Sequence, residues 1–205
     1  MNMSAAIRLA SSLISSRPES TPLSYRLRMH QSGNPNSIFL LEMLCSAAIG
    51  VGGMPRYLGL DWEGFRILMQ RHFSGLELHH LSFMETAPTI SDCRKEEIDE
   101  LLQLFLEHVG PDGELEKVLM ARILAAGCMA DNHLWEDLGL TSRTQLSSLI
   151  LTNFPTLSQL NSKNMKWKRF FYKQLCEREG IYTCRAPSCA ACGDYALCFS
   201  PEEKS

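Results

Sequence analysis

Residues 92–109 repeat apolar side chains at the spacing of an α-helix, which is the strongest structural signal in the chain. Six apolar residues recur every three or four positions, namely Ile98, Leu101, Leu102, Phe105, Leu106 and Val109. The acidic residues of the segment lie on or near the opposite face. This pattern predicts an amphipathic helix that begins at Ser91 or Asp92 and ends at the Gly-Pro-Asp-Gly sequence 110–113. The apolar face of such a helix must pack against other helices.

The same period recurs along most of the chain. Further helices are predicted after caps at Asn36 and Asp61, over 114–129, over a short turn 134–138, after a cap at Thr141 as far as Pro155, and over 162–177. No run of alternating polar and apolar residues is long enough to predict a strand. We therefore predict an all-α fold with a flexible tail 1–35, one helical domain 36–180 and an irregular cysteine-rich tail 181–205.

The length and charge of the chain limit the classes of protein that it can form. Its 205 residues suffice for one compact domain and one appended module. The formal net charge of −3 gives no basic character, so nucleic acid is not an expected partner. The most apolar segment, 37–54, contains Glu42 and three glycines and is too broken to span a bilayer. With no secretory signal in the first 20 residues, we expect a cytoplasmic protein without a membrane partner.

Five of the 8 cysteines crowd into the C-terminal end of the chain. They are Cys176, Cys184, Cys189, Cys192 and Cys198, and the last four follow the spacing Cys-x4-Cys-x2-Cys-x5-Cys. A tight run of thiolates can wrap the peptide around one iron-sulfur cluster. The small residues Ala190, Ala191 and Gly193 would let backbone amides approach the cluster sulfides. The spacing therefore predicts a cluster held by Cys184, Cys189, Cys192 and Cys198.

Two other readings of the cysteine tail stay open at this point. Structural zinc usually takes two cysteine pairs set well apart, and here only Cys189 and Cys192 form such a pair. Disulfides are expected in secreted chains rather than in a chain of this kind. The spacing thus favours a sulfide-bridged metal cluster over a zinc tail, and it carries no information about molybdenum.

Four segments of the sequence resemble the NifQ family of nitrogen-fixation proteins. They are residues 53–60, 132–140, 164–176 and 184–199, and the likeness extends over about 40–202. The resemblance implies a carrier, not an enzyme, that holds a molybdenum-iron-sulfur cluster on the four C-terminal cysteines. Such a carrier takes up molybdate or another molybdenum source and supplies molybdenum for the iron-molybdenum cofactor. One departure is Ser200, where the family pattern leads us to expect glycine.

The resemblance also implies partners and directs attention to further residues. The expected partners are the nitrogenase iron protein and the scaffold complex on which the cofactor is completed. His133, Cys128 and Cys176 are further candidates for metal ligands or for ligands of an additional iron-sulfur cluster. Each of them also suits a packing or capping role. The basic residues of the last predicted helix could dock a partner or an oxyanion, and they include Lys166, Lys168, Arg169 and Lys173. The pair His79-His80 is expected to be surface, with its side chains pointing apart.

Two rival functions come from other classes of protein. Residues 134–154 resemble a helix-turn-helix in outline, which would suit an iron-sulfur-sensing transcription regulator. However, the second helix offers few groups for DNA, chiefly Arg143, Gln145 and Asn153. A redox enzyme or electron carrier could use the same cluster. The sequence shows no nucleotide-binding glycine loop and no nucleophile elbow for such an enzyme.

Overall fold

The computed structural model describes residues 21–109, 114–178 and 180. Their α-helices are α1 (Leu23–His30), α2 (Ser37–Ala48), α3 (Trp62–His72), α4 (Phe83–Thr86), α5 (Lys95–Glu107), α6 (Leu115–Gly127), α7 (Leu134–Asp137), α8 (Arg143–Asn153), α9 (Pro155–Leu160) and α10 (Trp167–Arg178). Three short 3-10 segments span Arg56–Gly59, Leu78–Leu81 and Asp92–Arg94. These described residues contain no strand, which confirms the predicted all-α class for this part of the chain. No helix among them has the length and apolar character needed to cross a bilayer.

Helix α6 forms the centre of the helical domain. After its first turn it is buried on nearly all sides, through residues such as Met120, Ile123 and Leu124. Its last three residues, 125–127, are alanine, alanine and glycine, which let neighbouring segments approach closely. A Cβ atom on Gly59 would lie only 2.2 Å from the Cβ of Ala126, so a larger residue cannot stand there without moving the helix. The sequence of α6 therefore fixes how closely its neighbours pack.

Aromatic side chains join α10 to the rest of the core. Phe105 of α5, Phe154 and Phe171 of α10 are all completely buried. The rings of Phe105 and Phe171 meet edge to face with centroids 4.9 Å apart, and the ring of Phe154 lies 5.4 Å from that of Phe105. Such a pair contributes about 0.5–1.5 kcal/mol beyond its burial. The helix that leads into the cysteine tail is thus part of the core and not an appendage.

Part of the segment predicted as an N-terminal tail is helical. Helix α1 spans Leu23–His30, and Leu27 on it is completely buried in the core. One buried leucine is too weak a periodic signal to predict a helix from sequence. Packing against α2 stabilises this short helix, and such a tertiary contact cannot be seen in the local sequence pattern. The helical domain therefore begins before the predicted boundary at residue 36.

Two helix boundaries near the C-terminal end also differ from the prediction. Pro155 does not end helical structure but begins α9, since proline suits the first position of a helix. Helix α10 starts at Trp167 and not near residue 162. Asn164 has a φ of 53°, which breaks a right-handed helix, and the side chain of Asn161 bonds both the N–H and the carbonyl of Met165.

A buried network of carboxylate and amide groups links four parts of the domain. The two carboxylate oxygens of Glu116 on α6 accept hydrogen bonds from the amides of Asn34 and Asn36, each at 2.5 Å. Asn36 and Asn153 at the end of α8 exchange a reciprocal pair of amide bonds at 2.8 Å. Asn36 was predicted to cap α2 with its side chain, but that side chain serves this network instead. The carboxylate is buried only because these amides replace its water.

Histidine 72 borders this network and has an incomplete set of partners. Its Nδ1 lies 2.9 Å from the hydroxyl of Ser37, while its Nε2 is 3.8 Å from Glu116 Oε1 and makes no hydrogen bond. The side chain is completely buried. Burial lowers the pKa of His72, and the attraction of Glu116 opposes that change without reversing it. His72 is therefore neutral in the folded protein at neutral pH.

The neutral state of His72 predicts that the fold loses stability in mild acid. Between the ordinary pKa of 6.5 and the lower pKa of the folded state, the unfolded chain binds a proton that the folded chain does not. The free energy of unfolding should then fall by up to about 1.4 kcal/mol per pH unit as the pH decreases. Urea unfolding between pH 7.5 and 5 should show a shallower decline for His72→Asn than for the wild type. His133→Asn, which replaces an exposed histidine, is the matched control and should keep the wild-type slope.

Candidate functional site

The four cysteines predicted as cluster ligands lie outside the described residues. Cys184, Cys189, Cys192 and Cys198 all follow residue 180, so the structure gives no geometry for them. The site can instead be built from the helix that precedes them and from the groups that this helix contacts. That helix is α10, which ends at Arg178.

Helix α10 is held at both of its ends. At its start the indole N–H of Trp167 donates to the hydroxyl of Ser147 at 3.0 Å. The guanidinium of Arg143 bonds the carbonyls of Asn164 and Met165, which fixes the connection that leads into the helix. At its end Arg178 donates to Glu107 of α5 at 2.8 Å. The cysteine tail therefore follows a helix whose position in the domain is fixed.

A buried ion pair joins α10 to α7. The ammonium of Lys168 lies 2.5 Å from Asp137 Oδ2 and also donates to the carbonyl of Ala130 at 2.6 Å. Asp137 is completely buried, and its carboxylate accepts two more bonds at 3.1 Å from the backbone and side-chain N–H groups of Asn132. Four polar contacts thus replace the hydration of the two charges. A buried pair is tolerated only when its oxygens and protons are satisfied in this way.

A second ionic group lies on the same side of α6. Glu97 of α5 is bonded by Arg94 at 3.0 and 3.1 Å and accepts the phenolic hydrogen of Tyr172 of α10. Arg94 also donates to the carbonyl of Met129. Arg94 and Lys168 thus bind two successive carbonyls, those of Met129 and Ala130, just beyond the end of α6. Cations are favoured there because the last carbonyls of a helix lack partners and carry partial negative charge.

The thiol of Cys128 lies between these two ionic groups. It is buried, and burial raises its pKa to about 12, with Glu97 and Asp137 adding to the effect and Lys168 opposing it. Burial of the Tyr172 hydroxyl raises its pKa as well, and the nearby Cys128 and Glu97 add to this effect. Metals bind the thiolate form of cysteine. In this conformation the thiol of Cys128 is protonated at neutral pH, and its role as a metal ligand stays a prediction.

The other two additional ligand candidates lie in different environments. His133 is exposed at the start of α7, where its backbone N–H donates to Glu136 at 3.0 Å. Cys176 is buried on α10. Within the described ranges, neither residue joins Cys128 or another side chain in a group of three potential ligands. Their role as metal ligands stays a prediction.

The basic residues of α10 do not form one uniform exposed face. Lys168 is engaged in the buried pair, and Lys173 pairs with Glu177 at 3.2 Å on the surface. Lys166 and Arg169 are half-buried beside the start of the helix. Docking of a partner or an oxyanion by these residues stays a prediction. Lys168 also stabilises the fold through its pair with Asp137.

Three of the segments that resemble the NifQ family meet at Asp137. The backbone N–H of Gly53 donates to the carbonyl of Asp137 at 2.8 Å, and Lys168 bonds its carboxylate. A Cβ atom on Gly53 would lie 2.4 Å from the Cβ of Ala130 and 3.0 Å from Asp137 Oδ1. No pattern in the sequence singles out Asp137, Glu97 or Tyr172 as functional or structural centres. The one available signal was that Asp137 lies inside the segment 132–140 that resembles the family. Its partner Lys168 lies 31 positions further along the chain.

Comparison with known proteins identifies the family of the chain. The described fold and the sequence define a class of α-helical protein that ends in a cysteine-rich segment. The NifQ family model matches residues 39–200, so the chain belongs to the NifQ family and the resemblance seen in the sequence is confirmed. No solved structure matches the chain significantly.

Curated relatives cover most of the chain. Protein NifQ of Azotobacter vinelandii is 40% identical over 177 residues, which are 82% of this chain and 89% of the relative. Protein NifQ of Rhodobacter capsulatus is 37% identical over 80% of this chain and 87% of its own length. Protein NifQ of Klebsiella pneumoniae is 35% identical over 73% of this chain and 90% of its own length.

The buried pair predicts a strong coupling between two substitutions. Asp137→Asn and Lys168→Met should each lower the free energy of unfolding by about 3 kcal/mol, because each leaves a buried partner uncompensated. The double variant should lose less than the sum by about 1 kcal/mol or more. Urea unfolding of the reduced protein measures all three values.

A surface pair on the same helix supplies the control for this cycle. Lys173→Met removes the exposed contact with Glu177 and should cost less than about 1 kcal/mol. If Lys168→Met cost no more than Lys173→Met, the buried pair would not have the importance that we assign to it.

The environments of the cysteines predict different rates of alkylation. Cys93 is exposed, whereas Cys128 is buried and its pKa is raised to about 12. With iodoacetamide at pH 7.5, Cys93 should react at least roughly 100-fold faster than Cys128 in the native protein. Peptide mass spectrometry would measure both rates. In urea the two rates should converge, and equal rates in the native protein would contradict the burial of Cys128.

Proposed function

We propose that this protein carries a molybdenum-iron-sulfur cluster and supplies molybdenum for the nitrogenase iron-molybdenum cofactor. The observation that carries the proposal is the spacing of Cys184, Cys189, Cys192 and Cys198 directly after α10, in a member of the NifQ family. Soft thiolate ligands suit iron, molybdenum and sulfide, and four within a short segment can enclose one cluster. We propose that it performs this role in nitrogen fixation, in the cytoplasm.

A carrier of this kind works by ligand exchange. The cysteine thiolates hold the cluster as cargo, and incoming ligands of the acceptor replace them when the metal is delivered. No bond of an organic substrate is broken, so no general acid, general base or nucleophile is required. We therefore infer that the protein is an assembly factor and not an enzyme.

The described domain contributes a fixed base for the cysteine tail. The buried contacts of Trp167, Phe171 and Lys168 hold α10 in place, so the cysteines follow a helix of defined position. The partners that we propose are the nitrogenase iron protein and the scaffold complex, and the molybdenum source is molybdate or another molybdenum compound.

Docking of those partners is assigned to the solvent side of α10. Lys173 is about half exposed there, and its charge is only partly offset by Glu177, which is equally exposed. Lys166 and Arg169 lie half-buried nearer the start of the helix. Exposed lysine and arginine chiefly increase the rate of association with an acidic partner, so this contact should weaken as salt is added.

The proposal is tested by the metal content of protein purified without oxygen. The wild type should contain molybdenum, iron and acid-labile sulfide and should absorb visible light, because thiolate-bound clusters are coloured. Cys189→Ala and Cys192→Ala should lose these components, since each removes one ligand. Cys93→Ala, which replaces an exposed cysteine of the helical domain, is the matched control and should keep them.

Two results would support the alternative functions instead. Stoichiometric zinc without sulfide or colour would indicate a structural zinc tail. DNA binding that weakens steeply with salt would indicate an iron-sulfur-sensing regulator. Normal delivery of molybdenum by Cys189→Ala and Cys192→Ala would exclude the carrier mechanism.

A further inference from the structure

The adjacent histidines His79 and His80 lie together and not apart. They belong to the 3-10 segment Leu78–Leu81, and their ring centroids are only 3.9 Å apart. In a 3-10 helix, residues three positions apart lie above one another. The segment therefore buries Leu81 while Glu77 and His80 share another face. The sequence predicted a surface position for the pair, which is correct for His79, but it did not predict contact between the rings.

The carboxylate of Glu77 completes a group of three potential metal ligands. Glu77 Oε2 lies 3.2 Å from His79 Nδ1, and the ligand atoms of Glu77, His79 and His80 all lie within 4.8 Å of one another. Two ligands of one tetrahedral zinc ion, at bond lengths near 2.1 Å, are roughly 3.3 Å apart. The first two atoms are thus already at the separation that a metal ion requires. Rotation of the His80 side chain is enough to bring in the third.

We propose that Glu77, His79 and His80 bind a divalent first-row transition metal ion such as Zn²⁺. Two imidazole nitrogens and one carboxylate oxygen form a donor set that these ions accept, and water completes the coordination. Glu77 and His79 are 73% and 65% exposed, so an ion can enter without opening the core. The site uses none of the C-terminal cysteines and does not depend on the proposed carrier function.

Arg26 of α1 limits the affinity of this site. One nitrogen of its guanidinium lies 2.6 Å from both ring nitrogens of His80, and its Nε donates to the carbonyl of Thr21 at 3.0 Å. An arriving cation must displace this guanidinium and is repelled by it until it moves. Direct repulsion between the guanidinium of Arg26 and the ion therefore lowers the affinity of the site.

The test compares zinc binding by the full chain and by variants of this site. The reduced protein is dialysed against Zn²⁺ at pH 7.5, and bound zinc is counted per chain. The C-terminal cysteines also take up zinc, but they are the same in every variant. The double variant His79→Ala/His80→Ala should bind one equivalent less than the wild type. His108→Ala, a partly buried histidine that bonds Thr156 on another part of the surface, should bind as much as the wild type.

Two further measurements tie the lost equivalent to these residues. The imidazole resonances of His79 and His80, observed by ¹H–¹⁵N correlation, should shift as that equivalent binds, while those of His108 should not. Arg26→Gln should tighten the site by roughly fivefold, because a neighbouring positive charge is removed. Circular dichroism would establish that each variant is folded. Equal zinc content in the wild type and the double variant, or unmoved resonances of His79 and His80, would overturn the proposal.

Discussion

The buried pair of Lys168 and Asp137 is the interaction on which the arrangement around the C-terminal end of α6 depends. Asp137 is completely buried and cannot exist there as a carboxylate without a cation and several N–H donors. Lys168 supplies the cation from α10, and Asn132 supplies the donors. The same ammonium also binds the carbonyl of Ala130. The Lys168 side chain therefore joins α10 both to the segment just after α6 and to the last residue of α7.

This pair also lies where segments that are far apart in the sequence come together. Gly53 approaches the backbone of Asp137 because it has no side chain, which brings a third segment to the same point. Those three segments are also ones that resemble the NifQ family, although they are far apart in the sequence. The cluster delivery that we propose would start from a helix of fixed position, since Trp167 and Lys168 hold the start of α10 against the packed domain.

The sequence predicted the elements that local signals specify. The period of residues 92–109 predicted α5, and Asp61 was correctly identified as the cap of α3, since its carboxylate accepts from the N–H of Gly64 at 2.7 Å. Local signals failed where tertiary contacts decide, as for α1 with its single buried Leu27. The spacing of the cysteines predicted the ligands of the candidate site. These residues lie outside the described ranges, so their role stays a prediction. The pair of Lys168 and Asp137 could not be predicted, because no periodic rule connects residues 31 positions apart.

The cysteines of the chain fall into classes with different chemistry, and this difference has a consequence for a metal carrier. A carrier must bind metal through some thiols while its core thiols stay unreactive, since a thiolate anywhere in the fold would compete for the cargo. Cys128 meets this requirement because burial raises its pKa to about 12 and keeps it protonated at neutral pH. Lys168 alone would favour the thiolate, but Glu97 and Asp137 oppose that effect. Burial is thus the main cause that keeps this thiol protonated, and the two carboxylates that position α10 add to it against the attraction of Lys168.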